Sequence, residues 1–308
     1  MVDRFLYYLI VIPFSKLPFW FIYLIADAFY LVLLYIFPYR KEVITNNLQK
    51  SFPEKSIKEI DAIRKDFYRF FADLMLETIK LLGISEAELK SRITVENKTI
   101  VENLYKEGRS FILISSHYNN WEFLILAQDL NFPHQAIGIG MPLSNKFWHE
   151  KITAKRERFG MKVTDPKNYK IDLKNLHEPT STLVLNDQSP GKNKNCFWTN
   201  FLNQQTAFYF GAEVLAHEQN LPVVFLEIEN ERRGYFNFKL ELITDNPETL
   251  SYGEITKSYI EKLAQSINAK PSRWLWSHKR WKKKIPENLE TLKVDHKKRF
   301  DEKFRPQS

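Results

Sequence analysis

The chain reads as an α/β protein, a mixed central sheet flanked by helices, with an N-terminal helical segment that anchors it to a membrane. Three observations predict this. From Phe111 onward, short β-branched and apolar runs alternate with segments of helical period, the pattern of strands covered by helices. Two longer runs, PVVFLEIEN and YFNFKLELIT, read as strands separated by ERRG. Ahead of all this, LPFWFIYLIADAFYLVLLYIF at residues 17–37 carries Asp27 as its only charge.

At about 1.5 Å per helical residue, that segment covers roughly 30 Å, the thickness of a bilayer core. FLYYLIVIPF, residues 5–14, extends the apolar character upstream. A cleaved signal peptide would have a shorter apolar core and a small-residue cleavage site, and neither is evident. Arg40 and Lys41 follow directly, which by the positive-inside rule predicts that the domain after the segment is cytoplasmic. Asp27 at mid-segment is costly in lipid. It keeps two alternatives open: a buried amphipathic helix, and a segment lying in the interface instead of crossing. The expected division is an anchor at 1–40, a main domain at 41–287 and a polar tail at 288–308.

After the anchor, Ser56 and Glu59 form a capping-box pattern ahead of a long helix whose apolar residues recur every three to four positions. Gly83 is its stop signal. ITVEN is a short strand, 98–107 a helix, FILIS (111–115) a strand and WEFLILAQDL (121–130) a helix. HQAIGIGM is a strand, KFWHEKITAKRERFG a basic helix closed by Gly160, MKVTD a strand, 167–176 helical and STLVLND a strand. QQTAFYFGAEVLAHEQ (204–219) is read as one helix, and ITKSYIEKLAQSINA as a last long helix.

The composition, 44% hydrophobic and 27% charged, excludes wholesale disorder. Aromatics reach 15%, suited to a lipid–water interface or to a bulky core. A net charge of +8 favours an anionic partner: nucleic acid, lipid headgroups, a phosphorylated substrate or an acidic carrier protein. Cys196 is the only cysteine, so intrachain disulfides and cysteine-built metal sites are excluded. With no H-E-x-x-H and no P-loop, neither a metal nor a cofactor is expected.

The chemistry concentrates in HYNNWE, residues 117–122. His117 falls where a strand gives way to a helix, the place where open α/β sheets gather ligands. Asn119 or Asn120 is a natural N-cap for the helix starting near Trp121. Glu122 in the first turn is kept ionised by the helix dipole. A loop before the cap lets the imidazole fold back onto that carboxylate. The pair would make a general base, or His117 is a structural turn histidine.

These residues resemble a family. HYNNWE matches the H-x4-(D/E) motif of glycerolipid and lysophospholipid acyltransferases, and its N-W-E form is similar to bacterial lipid A biosynthesis (late, secondary) acyltransferases. NNLQKSFPEKS, GIGMP (138–142), RERFG (156–160), NDQSPG (186–191) and LWSHKRWKKKIP extend the resemblance, in order, along nearly the whole chain. It implies a glycerolipid acyltransferase-like fold and transfer of a fatty acyl chain from acyl carrier protein or acyl-CoA to a glycolipid hydroxyl. His117 would be the base and Glu122 its partner. Arg156 would stabilise the oxyanion, with Arg158 as runner-up. Asp187 and Gln188 would line the acceptor side, with Asn120, Trp121 and His278 as further substrate-binding positions. Members often have Arg-Pro where this chain has Met141-Pro142, which puts any substrate contact by that arginine in doubt.

RWLWSHKRWKKK (273–284) interleaves three tryptophans with basic residues, which leaves open a solvated basic face with structural tryptophans. A membrane surface or carrier protein is the expected partner, with no nucleic acid, and Arg280 is assigned to an acceptor phosphate. A single-strand nucleic-acid binder and a non-catalytic membrane adaptor are the competing readings, and another lipid acceptor is a third. His134, His149, His177, His217 and His296 show no ligand spacing and are expected to be structural or exposed.

Overall fold

The structure, a computed structural model, describes residues 2–174, 176, 178–191 and 195–305. His177 lies outside them.

Among the described residues, nine strands form two sheets. The central one contains β1 (Ile93–Glu96), β2 (Phe111–Ser115), β3 (Gln135–Ile139), β4 (Lys162–Thr164), β5 (Thr180–Leu185), β8 (Val223–Arg232) and β9 (Tyr235–Thr244), in the order β1-β9-β8-β2-β5-β3-β4. Every neighbouring pair is parallel except the β8–β9 hairpin, so the sheet is mixed as expected. β2 is buried along its whole length. Ile112 and Ile114 enter one apolar cluster, while Phe111 and Leu113 enter another. That is the period of two that a strand imposes, with both faces covered, so its residues read as a continuous apolar run.

The N-terminal residues form α1 (Val2–Phe5), a π-helical stretch at Leu6–Val11, and α2 (Ile12–Ser15). Then come α3 (Phe19–Leu31), which continues as a π-helical turn at Val32–Ile36, and α4 (Lys41–Ser51). Next is α5 (Ile57–Leu81), opened by the expected capping box of Ser56 and Glu59. The others are α6 (Glu86–Lys90), α7 (Thr99–Lys106), α8 (Trp121–Asn131), α9 (Lys146–Glu157), α10 (Tyr169–Lys174), α11 (Gly211–Gln219), α12 (Glu254–Ala269) and α13 (Leu289–Phe304).

Phe19–Ile36 is long and apolar enough to cross a membrane, with a mean hydropathy of 2.0. One stripe of it packs on the body. Phe19, Ile22, Ala26 and Leu33 are buried, the Tyr23 hydroxyl donates to Glu77 at 2.7 Å, and Asp27 pairs with Arg233 at 2.8 Å. The costly charge of the sequence reading thus has a partner on the β8–β9 turn.

One expectation fails. Residues 204–219 are not one helix. Gln204–Tyr209 is strand β7, paired antiparallel with β6 (Cys196–Phe201) in a separate two-stranded sheet. The Leu202-Asn203 connection has positive φ at both residues, a two-residue turn that matches strand twist. The polar residues from 288 onward hold α13, whose Phe300 is buried and packs its ring against Phe210.

Candidate active site

The register of the sheet decides which side chains meet. β2 and β5 are parallel neighbours with Ser115 opposite Leu185. Two residues beyond each strand end, His117 and Asp187 leave the sheet at the same level. The imidazole Nδ1 lies 2.7 Å from Asp187 Oδ1. Oδ2 accepts the His117 backbone N–H at 3.0 Å and the Trp274 indole N–H at 2.8 Å. Asp187 is 2% exposed. Burial pushes its carboxyl up, but the charge and hydrogen bonds of His117 and the Trp274 bond outweigh this and hold it below the usual carboxylate range.

On the other edge of the ring, the Gln188 side-chain amide donates to His117 Nε2 at 3.1 Å. An ionised Asp187 at Nδ1 and a donor at Nε2 select the tautomer with its proton on Nδ1. Trp121 stands edge-on to the imidazole, ring centres 4.6 Å apart. The His117 imidazole therefore has a fixed tautomer and a fixed plane.

The expected His117–Glu122 contact is not made. Glu122 instead forms a two-point pair with Arg156 of α9, Nε to Oε2 at 3.2 Å and Nη2 to Oε1 at 2.6 Å. The reason is local. Asn119 takes a positive φ of 53° and Asn120 caps α8, its Oδ1 accepting the Glu122 N–H at 3.1 Å. That turn sends Glu122 down the α9 side while β5 supplies the imidazole with a nearer carboxylate.

Three assignments change with burial. Arg158 is turned away from the site, donating to the carbonyls of Leu81, Leu82 and Ile84, where it closes the α5 C-terminus. Arg280 is 2% exposed, bonded to the Ala207 carbonyl and stacked over Phe208. Burial lowers its guanidinium to about 10, and nothing presents it to a headgroup. Trp274 and Trp276 are buried as well, so they are core residues and not a membrane belt. His278 stays near the site. Its Nε2 accepts the Ser189 N–H at 3.1 Å, and burial takes it down to about 4, so it is a neutral acceptor that pins the 187–189 loop.

Glu122 stands between two cavities. One, of about 300 Å³, is walled by Val11, Ile79, Leu126, Trp148 and Ile152, with Arg156 at its edge. The other, of about 350 Å³, is lined by Tyr39, Arg40, Met75, Trp121 and His278. The first is an apolar slot ending at a guanidinium, the second a mixed pocket beside the histidine loop. Among the described residues, no group of three His, Cys, Asp or Glu side chains is gathered for a metal.

Sequence reading misses one member of the site: Trp274, expected at a surface, donates to Asp187. Outside the site it also passes over Glu77, a buried carboxylate on the apolar stripe of α5 after Phe70 and Leu74.

A family model for bacterial lipid A biosynthesis acyltransferases matches residues 1–283 of the 308. The chain belongs to that family. Among curated proteins, none matches the chain. Membership of this lipid A acyltransferase family brings an acyl donor and a lipid-type acceptor in general terms, and the N-terminal apolar helix suggests membrane association.

Proposed function

We propose that the chain transfers a fatty acyl group from an acyl thioester, on acyl carrier protein or coenzyme A, to a hydroxyl of a lipid A precursor. The observation that carries this is the Arg156 guanidinium of α9, fixed at an apolar cavity by Glu122, which lies on the helix that follows His117. The acyl chain enters the slot between the π-helical stretch at Leu6–Val11, α5, α8 and α9, which leaves the thioester carbonyl near Arg156. His117 Nε2 takes the proton of the acceptor hydroxyl, displacing the Gln188 amide. The hydroxyl oxygen bonds to the carbonyl carbon, and Arg156 stabilises the oxyanion that forms. The C–S bond then breaks, and the leaving thiolate takes the proton from the imidazolium. Asp187 holds the tautomer and balances the imidazolium charge. Glu122 acts through Arg156 and not as the bonded partner of His117.

The mixed cavity beside Trp121 suits the polar part of the acceptor. Arg40, at its rim, replaces Arg280 as the cation for an acceptor phosphate. Arg40 and Lys41 also support a cytoplasmic body on the inner membrane. The α3 stripe bonded to the body supports an anchor lying in the interface, since crossing would strip Tyr23 and Asp27 of their partners.

Mass spectrometry of lipids from cells with and without the gene is the direct test. One missing acyl chain on the lipid A species, restored by wild type and not by His117→Ala, is expected. Unchanged lipid A would sink the acceptor assignment, and wild-type restoration by His117→Ala would sink the mechanism.

A further inference from the structure

Glu77 sits on the packed face of α5, about one turn from its C-terminal end, 3% exposed, and its two oxygens face two different elements. The Tyr23 hydroxyl of α3 donates to Oε1 at 2.7 Å, and the Asn120 side-chain amide donates to Oε2 at 2.7 Å. Asn120 uses its other amide atom, Oδ1, to cap α8 at the Glu122 N–H. An acceptor on one side and a donor on the other fix the orientation of that amide. Glu122 in turn grips Arg156 at two points. A continuous hydrogen-bonded path therefore runs from the anchor helix to the guanidinium, through a carboxylate that touches neither cavity beside Glu122.

We propose that Glu77 is a positioning residue for acyl transfer, fixing the first turn of α8 through Asn120 and tying that turn to the anchor helix through Tyr23. The inference rests on the reaction proposed above. Among the contacts described, α3 is tied to the body by Tyr23–Glu77, by the Arg233 guanidinium, which meets Asp27, Asp73 and the Tyr23 carbonyl, and by cation–π contacts of Arg92 on Phe19 and Arg69 on Tyr30. Of these, the Tyr23–Glu77 bond is the one that continues, through Asn120, to the loop between His117 and Glu122. A misplacement of the order of 1 Å at a reacting group costs about a hundredfold in rate, even when its cause is remote. Glutamine keeps an acceptor for Asn120 and offers its N–H₂ to the Tyr23 oxygen, whereas leucine fills similar space and bonds to neither.

The experiment compares wild type, Glu77→Gln, Glu77→Leu and Tyr23→Phe as full chains in detergent micelles, by steady-state acyl transfer and by hydrogen exchange. Glu77→Leu is expected to lose about 10- to 100-fold in kcat with little change in KM for the donor. Residues 117–124 should exchange faster while the central strands stay protected. Glu77→Gln should stay within about threefold of wild type, and Tyr23→Phe should fall between the two. A Glu77→Leu protein with wild-type kcat overturns the proposal, as does a loss spread over kcat, KM and strand protection alike. Should Glu77→Leu not fold, Asn120→Ala cuts the same path at its other end and must give the same kcat-only loss. If the wild type itself transfers no acyl group, the reaction assignment fails, while exchange at 117–124 still reports whether Glu77 positions the loop.

Discussion

The two carboxylates near His117 are told apart by which neighbour each one faces. Asp187 receives three N–H groups, two from His117 and one from Trp274. In Asp187→Asn an amide N–H₂ must face at least one of these donors, or turn and force the wrong tautomer on the ring. We expect kcat to fall by roughly 10²–10⁴-fold and stability by about 1–3 kcal/mol, read by steady-state kinetics and thermal melting. Glu122→Gln keeps one oxygen for Arg156 and leaves the His117 network untouched, so a loss of about 10–100-fold is expected. The reverse order of losses would restore the His117–Glu122 dyad that the sequence suggested. Residue types at the site were legible: His117, Glu122, Arg156, Asp187, Gln188 and His278 all lie in or beside it. Their pairing was not, because 70 positions separate His117 from Asp187 and only the β2–β5 register joins them. Glu77 also has a signature in pH. Burial pushes its carboxyl up to about 7 from 4.5, against the bonds from Asn120 and Tyr23. A carboxyl with a raised native pKa binds its proton more tightly when folded, so its contribution is full below about 4.5 and lost as pH rises through about 7. His278, lowered to about 4, acts in the opposite sense, so the comparison with a variant is what isolates Glu77. Melting temperatures of Glu77→Gln should fall less than those of wild type between about pH 4.5 and pH 8.

At the level of elements, local pattern located nearly every strand and helix, because caps, glycine stops and alternation act within a few residues. Gly160 illustrates the stop: φ is 111°, and a Cβ there would meet the Asp129 carboxylate at 1.9 Å. The β6–β7 hairpin escaped because QQTAFY runs straight into an alanine-containing helical segment, and its turn signal is Leu202-Asn203, not the usual Asn-Gly. The tail helix escaped because its apolar residues are few among many charges, and its burial depends on Phe210 and His217 across the fold. The apolar slot is likewise assembled from four helices, and no single stretch encodes it. Its test is steric. Ile152→Trp adds an indole into a cavity of about 300 Å³. With room to accept the ring, stability should change by no more than about 1–3 kcal/mol. Donors with long acyl chains should lose turnover relative to short ones in a mixed-donor competition. Equal loss for all lengths would remove the chain from this slot.

For the whole molecule, the N-terminal segment passes every length and hydropathy test for a span, yet its packing argues for a helix laid along the membrane. Trp20, Leu24, Tyr35 and Ile36 are 69%, 60%, 76% and 76% exposed, on the side of α3 and its continuation away from α5. Phe5, Leu9 and Ile10 extend this apolar surface onto the first helical stretch. The opposite side is bonded to the body at Tyr23 and Asp27. Burying one large apolar side chain is worth about 1.5–3 kcal/mol, so Trp20→Glu with Leu24→Glu should weaken vesicle binding by two or more orders of magnitude while the melting temperature holds. Topology separates the two arrangements directly. Cys196, the sole cysteine, is buried, so single cysteines at Lys16 and Lys41, both exposed, give clean sites for an impermeant thiol reagent. A span places them on opposite sides of a sealed vesicle, and only one reacts from outside. An in-plane helix held at Tyr23 and Asp27 leaves both on the side of the catalytic body, so both react together in inside-out vesicles and neither reacts in right-side-out ones.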